Sequence, residues 1–531
     1  MAAIITDQLR ILNAKNFVSL ASSDKNSYYA FVGLPHPQEL YSDWDTTPPA
    51  PKDAEDQENS YWDTMIALKK IIPGDVRQVV RKIEWVSGNT YDMYRHDITR
   101  DHPSKPSQAL SIYSANYYVV NSDFRVYICL QNGTNPENPN GRPSLDEPTF
   151  TDLEPRAAGS SGDGYIWKYL YTIKPSDIAK FDTINFMPVP KNWDTETSTD
   201  TCGNNVASVR ENAGTSGQIK ICTIKNRGVG IGTANTTYTK VPIRGDGSGA
   251  ECTIVVNNDS KVESVTVSNG GSGYSYGTID TNAGGVPSGT TSPVFDVIIP
   301  PQGGHGADVY RELGAFRVLV YSRIENDTQD PDFITGNQIS RIGLVEDPKA
   351  FGTTTVLTKS KASAVGAIRL GIGYSTATYP ADSVIYQTIG TGSTAVARVV
   401  SYDKTTGVLK YWQDRTLVGF NTDTTNLLEF TKNTSPTYGF DLKKFTATPS
   451  SGGSIQIIKA GDTAGVGIDT ALTGSTLSLN NKTYNLGQEF TSGLANPEVQ
   501  KHTGNILYVD HRPAITRSQN QREDIKIVLQ F

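Results

Sequence analysis

The chain has 531 residues, with 48 glycines, 28 prolines, 37% hydrophobic residues and a formal charge of −7. That length exceeds one ordinary domain, and the glycine-rich composition favours many short strands and turns, a mainly β chain, over helical bundles. An acidic chain with no Lys/Arg-rich run lacks the basic stripe that nucleic acid or an acidic membrane demands, and no apolar run reaches membrane-spanning length, so no nucleic-acid partner and no membrane insertion are expected.

Thr6–Leu20 is predicted as a helix: Thr6 can cap it, and Leu9, Leu12, Phe17 and Leu20 recur at helical spacing. Asp7, Gln8 and Arg10 interrupt the apolar block that a secretory leader needs, so folding in a cytosol is expected. Ser27–Leu34 (SYYAFVGL) reads as a strand. A proline-rich acidic loop follows, and then a second short helix around Tyr61–Lys70. Further strands are predicted at Ala115–Val120, Phe124–Leu130 and Gly162–Ile173 (GDGYIWKYLYTI). In the last of these, Tyr165, Trp167, Tyr169 and Tyr171 alternate with Ile166, Lys168, Leu170 and Thr172. A period of two places all four rings on one strand face. Trp44, Trp62, Trp85, Trp167 and Trp193 all lie in this first part, so the main core is expected there.

Composition changes near Cys202. Residues 203–302 are rich in Gly, Thr, Asn and Val, and 352–498 have a similar texture. Gly247–Val256 and Gly392–Val400 each read as the first strand of a strand, turn, strand unit. Between the two segments Gly314–Ile324 returns to core-like character, as does the tail, where Ile525, Ile527, Leu529 and Phe531 alternate with Lys526, Val528 and Gln530. The expected organisation is one discontinuous β domain (1–202, 303–351 and 499–531) carrying two inserted small β domains, 203–302 and 352–498. Cys129, Cys202, Cys222 and Cys252 have no CxxC spacing, and read as free thiols.

Gly162-Asp163-Gly164 opens a strand, whereas a phosphate loop opens a helix, so it reads as a turn. His96, Asp97, Asp101 and His102 (HDITRDH) are the one weak metal-ligand candidate, and no helix fixes their spacing. Arg244-Gly245-Asp246 spells an adhesion tripeptide in a glycine-rich hairpin, where coincidence is the better reading. No Cys/His signature marks a nucleophile. The four-ring row reads as core or subunit contact, with a sugar platform as the less favoured role.

GDGYIWKYLYTI followed by Lys174-Pro175 resembles a signature of the gene-8 baseplate wedge subunits of T-even-like contractile-tailed bacteriophages. Asp24–Gly33 (DKNSYYAFVG), Arg81–Asp92 (RKIEW…GNTYD) and the ending Gly504–Phe531 are similar as well, the last with Arg512-Pro513-Ala514 as its expected turn. Asp308–Ile324 fits more loosely. The blocks occur in the family's order over about half the chain and skip both glycine-rich segments. The resemblance implies a β-sandwich-type core with a few short helices, a homodimer, wedge proteins as partners and a place in the virion after assembly in the bacterial cytoplasm. It implies no catalytic residues and no cofactor. The alternative is a carbohydrate-binding or host-adhesion virion protein working through its glycine-rich modules.

Overall fold

Strands hold 40% of the residues and helices 11%, so the fold is mainly β, with five α-helices among the described residues. The computed structural model describes residues 4–23, 26–37, 43–196, 206–325, 338–419, 433, 435–516 and 521–531. Cys202 lies outside them. The chain forms two compact units, one of Met1–Val18, Arg77–Leu319 and Val528–Phe531, the other of Ser19–Val76 and Val320–Ile527.

The first unit is built on an antiparallel sheet of Tyr118–Val120, Arg125–Asn132 and Tyr165–Thr172 in that order. Its core gathers Tyr117, Tyr127, Trp167, Tyr171 and Trp193. In the glycine-rich segment, Ser248–Val256 and Val262–Ser272 pair as an antiparallel hairpin, the strand, turn, strand expected there. Thr237–Gly245 and Gly277–Ile279 extend that sheet. Cys252, Ile254, Val262 and Tyr274 give the segment a core of its own.

The second unit holds a five-stranded sheet in the order Lys361–Ser363, Met65–Lys70, Tyr28–Gly33, Gln338–Glu346, Asn505–Thr516. Residues 352–498 contribute all seven strands of a further sheet, in which Ser393–Asp403 and Val408–Trp412 form the second expected hairpin. Ile385, Ala397, Leu409 and Ile457 fill its core.

Several expectations change here. Of the discontinuous domain read from sequence, 19–76 and 320–351 fall in the unit of 352–498, whereas 77–202 fall in the unit of 203–302. Strand pairing decides membership: Tyr28–Gly33 lies against Gln338–Glu346 in antiparallel register. The tryptophans accordingly serve two units, with Trp44 and Trp62 in the second. The second helix is Glu55–Thr64, and Met65–Lys70 is a strand. Met65, Ile66, Ala67 and Leu68 are all buried, so no alternation marked that strand in the sequence.

The first helix exists at Asp7–Ala21, with three of its four expected stripe residues turned outward and the fourth, Phe17, half-buried against Phe531 with ring centroids 5.6 Å apart. Ile11, Ala14 and Ala21 are buried, whereas Leu9, Leu12 and Leu20 are 42–51% exposed. Both sets satisfy the helical period, and the shorter side chains permit the closer approach. Arg512-Pro513-Ala514 is no turn: it lies within the strand Asn505–Thr516. The register against Gln338–Glu346 slips between Ile339↔Ile515 and Arg341↔His511, a bulge that takes up Pro513. This strand is a sheet edge, the place where a residue lacking N–H is tolerated.

Candidate functional site

The glycine-flanked aromatic strand is scaffold. Gly162 and Gly164 both have positive φ, and a Cβ on Gly164 would meet the Gly133 Cα at 2.7 Å. Between them Asp163 accepts from the Tyr165 and Leu145 amides at 3.0 and 2.9 Å. The carboxylate therefore closes a turn onto its own chain. Tyr165, Trp167, Tyr169 and Tyr171 are each no more than 3% exposed.

They do not share one face. The register against Arg125–Asn132 shifts between Val126↔Tyr171 and Tyr127↔Tyr169, leaving Leu170 as a bulge. Beyond it Tyr171 turns to the opposite side, where its ring meets Trp193 with centroids 6.2 Å apart. Thr172 takes the side of Tyr169, their hydroxyls 2.8 Å apart. An extra residue in one strand inverts every later side chain. Lys168, expected on a mixed face, is 2% exposed; its ammonium donates to the Leu153 carbonyl at 2.7 Å and to Asn212 Oδ1 at 3.1 Å.

The four candidate metal ligands are not brought together. His96 Nδ1 accepts from the Ile299 amide at 3.2 Å. Burial pulls its imidazole below the ordinary value. Asp97 holds Arg95 through two hydrogen bonds, of 2.9 and 2.7 Å, and Arg95 also reaches Asp296 at 3.1 Å. Burial acts to raise the Asp97 carboxyl, but Arg95 outweighs it and holds it low. Asp101 and His102 are exposed. Among the described residues no group of three His, Cys, Asp or Glu is placed to hold a metal. The loop is instead a clip onto Val294–Ile298. Asp246 of the adhesion-like tripeptide accepts from the Ser275 amide and hydroxyl and the Tyr276 amide, which hold its carboxyl down at about 2. Its oxygens are committed within the hairpin.

Arg512 and Pro513 line a groove in the second unit with a volume of about 560 Å³. Ile339, Ile342, Ile515, Ile525 and Ile527 make it apolar; Asp510, Arg512 and Lys526 add charge of both signs. Arg512 pairs with Asp510 at 2.5 Å, and its carbonyl accepts from the Trp44 indole at 3.0 Å. Among the described residues no histidine, cysteine or threonine lines it. Its chemistry is that of burial and charge matching, as a contact surface requires.

Sequence reasoning missed the buried cations. Arg341 is fully buried and donates to Ser60 O, Ser60 Oγ and Thr64 Oγ1 at 3.0, 2.9 and 2.5 Å. Its guanidinium lies 5.1 Å from the Trp44 ring and 5.4 Å from that of Tyr61, which spread the charge. Asp63 receives Arg415 at 2.5 and 2.9 Å across 352 residues of sequence. Burial acts to raise its carboxyl, yet hydrogen bonds from His502 and Arg415 hold it below the usual range.

Lys501 donates to the Asp63 carbonyl at 2.7 Å, and burial pulls its ammonium down to about 8. Between that value and the 10.5 of an unfolded lysine, the unfolded chain binds more protons, so folding strengthens as pH rises through this window. Denaturant titrations of wild type and Lys501→Met are expected to diverge in the wild type's favour by about 2 kcal/mol between pH 8 and pH 10.5. A constant difference would show that Lys501 titrates as an exposed lysine.

No family model and no curated protein matches this chain.

Proposed function

We propose that the chain is a structural subunit of a phage tail baseplate wedge, linking peripheral and inner wedge proteins and moving with them as the tail contracts. On this reading it is a homodimer, assembled in the bacterial cytoplasm and carried into the virion. It needs neither catalytic residues nor a cofactor. One observation carries the proposal: two blocks of the family resemblance, distant in sequence, interlock in one core. Tyr91 of GNTYD packs edge-on against Tyr165 and Trp167 of the aromatic strand, at 6.5 and 5.9 Å. Its amide donates to the Tyr165 hydroxyl at 2.9 Å, and its own hydroxyl donates to the Glu84 carbonyl of RKIEW at 3.1 Å. A signature spent on mutual packing is what a scaffold protein keeps, and the apolar groove and the open leucines of the first helix supply contact area of the kind partners cover.

Sedimentation of the pure protein, alone and mixed with purified wedge proteins, tests this. Twice the chain mass alone and a heavier complex in the mixture are expected. A monomer that joins no wedge protein would sink the proposal. The host-adhesion alternative draws support from Tyr276, 62% exposed beside the hairpin of the first glycine-rich module. Retention of the full chain on immobilised host glycans would favour it.

A further inference from the structure

Lys168 is buried, and its ammonium donates to two neutral oxygens rather than to a carboxylate. One of them is the Asn212 side-chain oxygen, 3.1 Å away. Asn212 follows the helix Val206–Glu211 and is anchored by its amide to the Ser208 carbonyl at 2.8 Å. The other end of its carboxamide, Nδ2, donates to Glu154 Oε1 at 2.9 Å. A nucleophilic nitrogen, an amide carbonyl and a carboxylate on the amide nitrogen thus stand in one line. We propose that Lys168 and Asn212 join in an intramolecular isopeptide bond, with Glu154 relaying the proton to the departing nitrogen.

Each group suits its part. An amine attacks only when free of its proton, and burial draws the Lys168 ammonium down to about 8. About one molecule in ten then carries the free amine at pH 7, far more than for an exposed lysine. The Asn212 hydrogen bond holds the Glu154 carboxyl below its ordinary value, so it is present as a proton acceptor. Positioning by the fold replaces a bimolecular encounter, the condition under which unactivated amides react.

In the step, Lys168 Nζ bonds to Asn212 Cγ. Glu154 takes a proton from the attacking nitrogen and passes it to Nδ2, and the Cγ–Nδ2 bond breaks. The lysine amine and the carboxamide become a secondary amide and ammonia, which takes up from water the proton the lysine ammonium gave to water before the attack, with nothing oxidised or reduced. Glu154 ends as it began. The bond would close 44 residues of sequence and fasten the start of the glycine-rich segment to the aromatic strand. The proposal rests on these three side chains and is independent of the wedge reading.

Intact-mass spectrometry of the folded full chain decides it. The mass should fall short of the sequence mass by about 17 Da, the ammonia lost. Trypsin should leave one branched peptide containing Lys168 and Asn212. Asn212→Ala, at a half-buried position, should fold and show the full sequence mass, and Glu154→Gln should link many-fold more slowly after refolding from denaturant. Full sequence mass in folded wild type after prolonged incubation near about pH 8.5 would overturn the proposal. So would a deficit that persists in both Asn212→Ala and Lys168→Met, since ammonia would then be leaving another asparagine.

Discussion

Trp167→Ala is expected to destabilise the first unit by about 3–5 kcal/mol. The indole is fully buried, stacked on Tyr165 with centroids 5.3 Å apart and an angle of 16°, and met edge-on by Tyr91. Its Nε1 makes no hydrogen bond among the described residues, so the loss is one of packing and cavity. Trp167→Phe, which keeps most of that packing, is expected to cost less than half as much. Guanidinium unfolding followed by circular dichroism measures both. An alanine variant with an unchanged midpoint would mean that the row is open to solvent, and the ligand-platform reading of these rings would return.

Asp414→Ala is expected to cost the second unit about 3–5 kcal/mol. Asp414 is fully buried and accepts from Arg398 Nε at 2.7 Å, while Arg398 is itself 2% exposed. Asp414 also accepts from the Thr416 amide and hydroxyl at 2.8 and 2.6 Å. After truncation the nearest remaining carboxylate is that of Asp382, 3.7 Å away and 47% exposed, beside the Asp382 carbonyl that already accepts from Arg398 at 3.3 Å. A buried charge with a distant, solvated partner costs far more than the intact pair contributes. Replacing both, as Arg398→Met with Asp414→Leu, is expected to recover most of the loss. A single variant within about 1 kcal/mol of wild type would show that water already reaches the pair.

How far the residues disclosed the fold varies from element to element. The strand at Tyr165–Thr172 was legible because alternation and flanking glycines agree, and both glycine-rich hairpins were legible for the same reason. The strand at Met65–Lys70 was not, since burial on both faces erases alternation. The buried face of the first helix was ambiguous because two apolar stripes compete for one period. Of the candidate site residues, Asp163 was rightly read as a turn former. The metal reading of His96 and Asp97 gave way to other partners: His96 takes the Ile299 amide, about 200 residues downstream, and Asp97 takes Arg95, which also reaches Asp296. The bulge at Leu170 leaves no mark in a single sequence, because its cause is the partner strand.

The sequence by itself determined the mainly β class, the local hairpins, the turn at Gly162–Gly164 and the resemblance on which the proposed function rests. All of these depend on residues within a few positions of one another, where backbone sterics and side-chain period act directly. Only the tertiary structure decided which strands share a sheet, which face of the first helix is buried, where Tyr171 points and how Lys168, Arg341 and Arg398 came to lie inside. A polar residue at a strand position reads as solvent-facing until its partner is known. The partners here lie 15 to 305 residues away, brought near by chain pairing that no local pattern encodes.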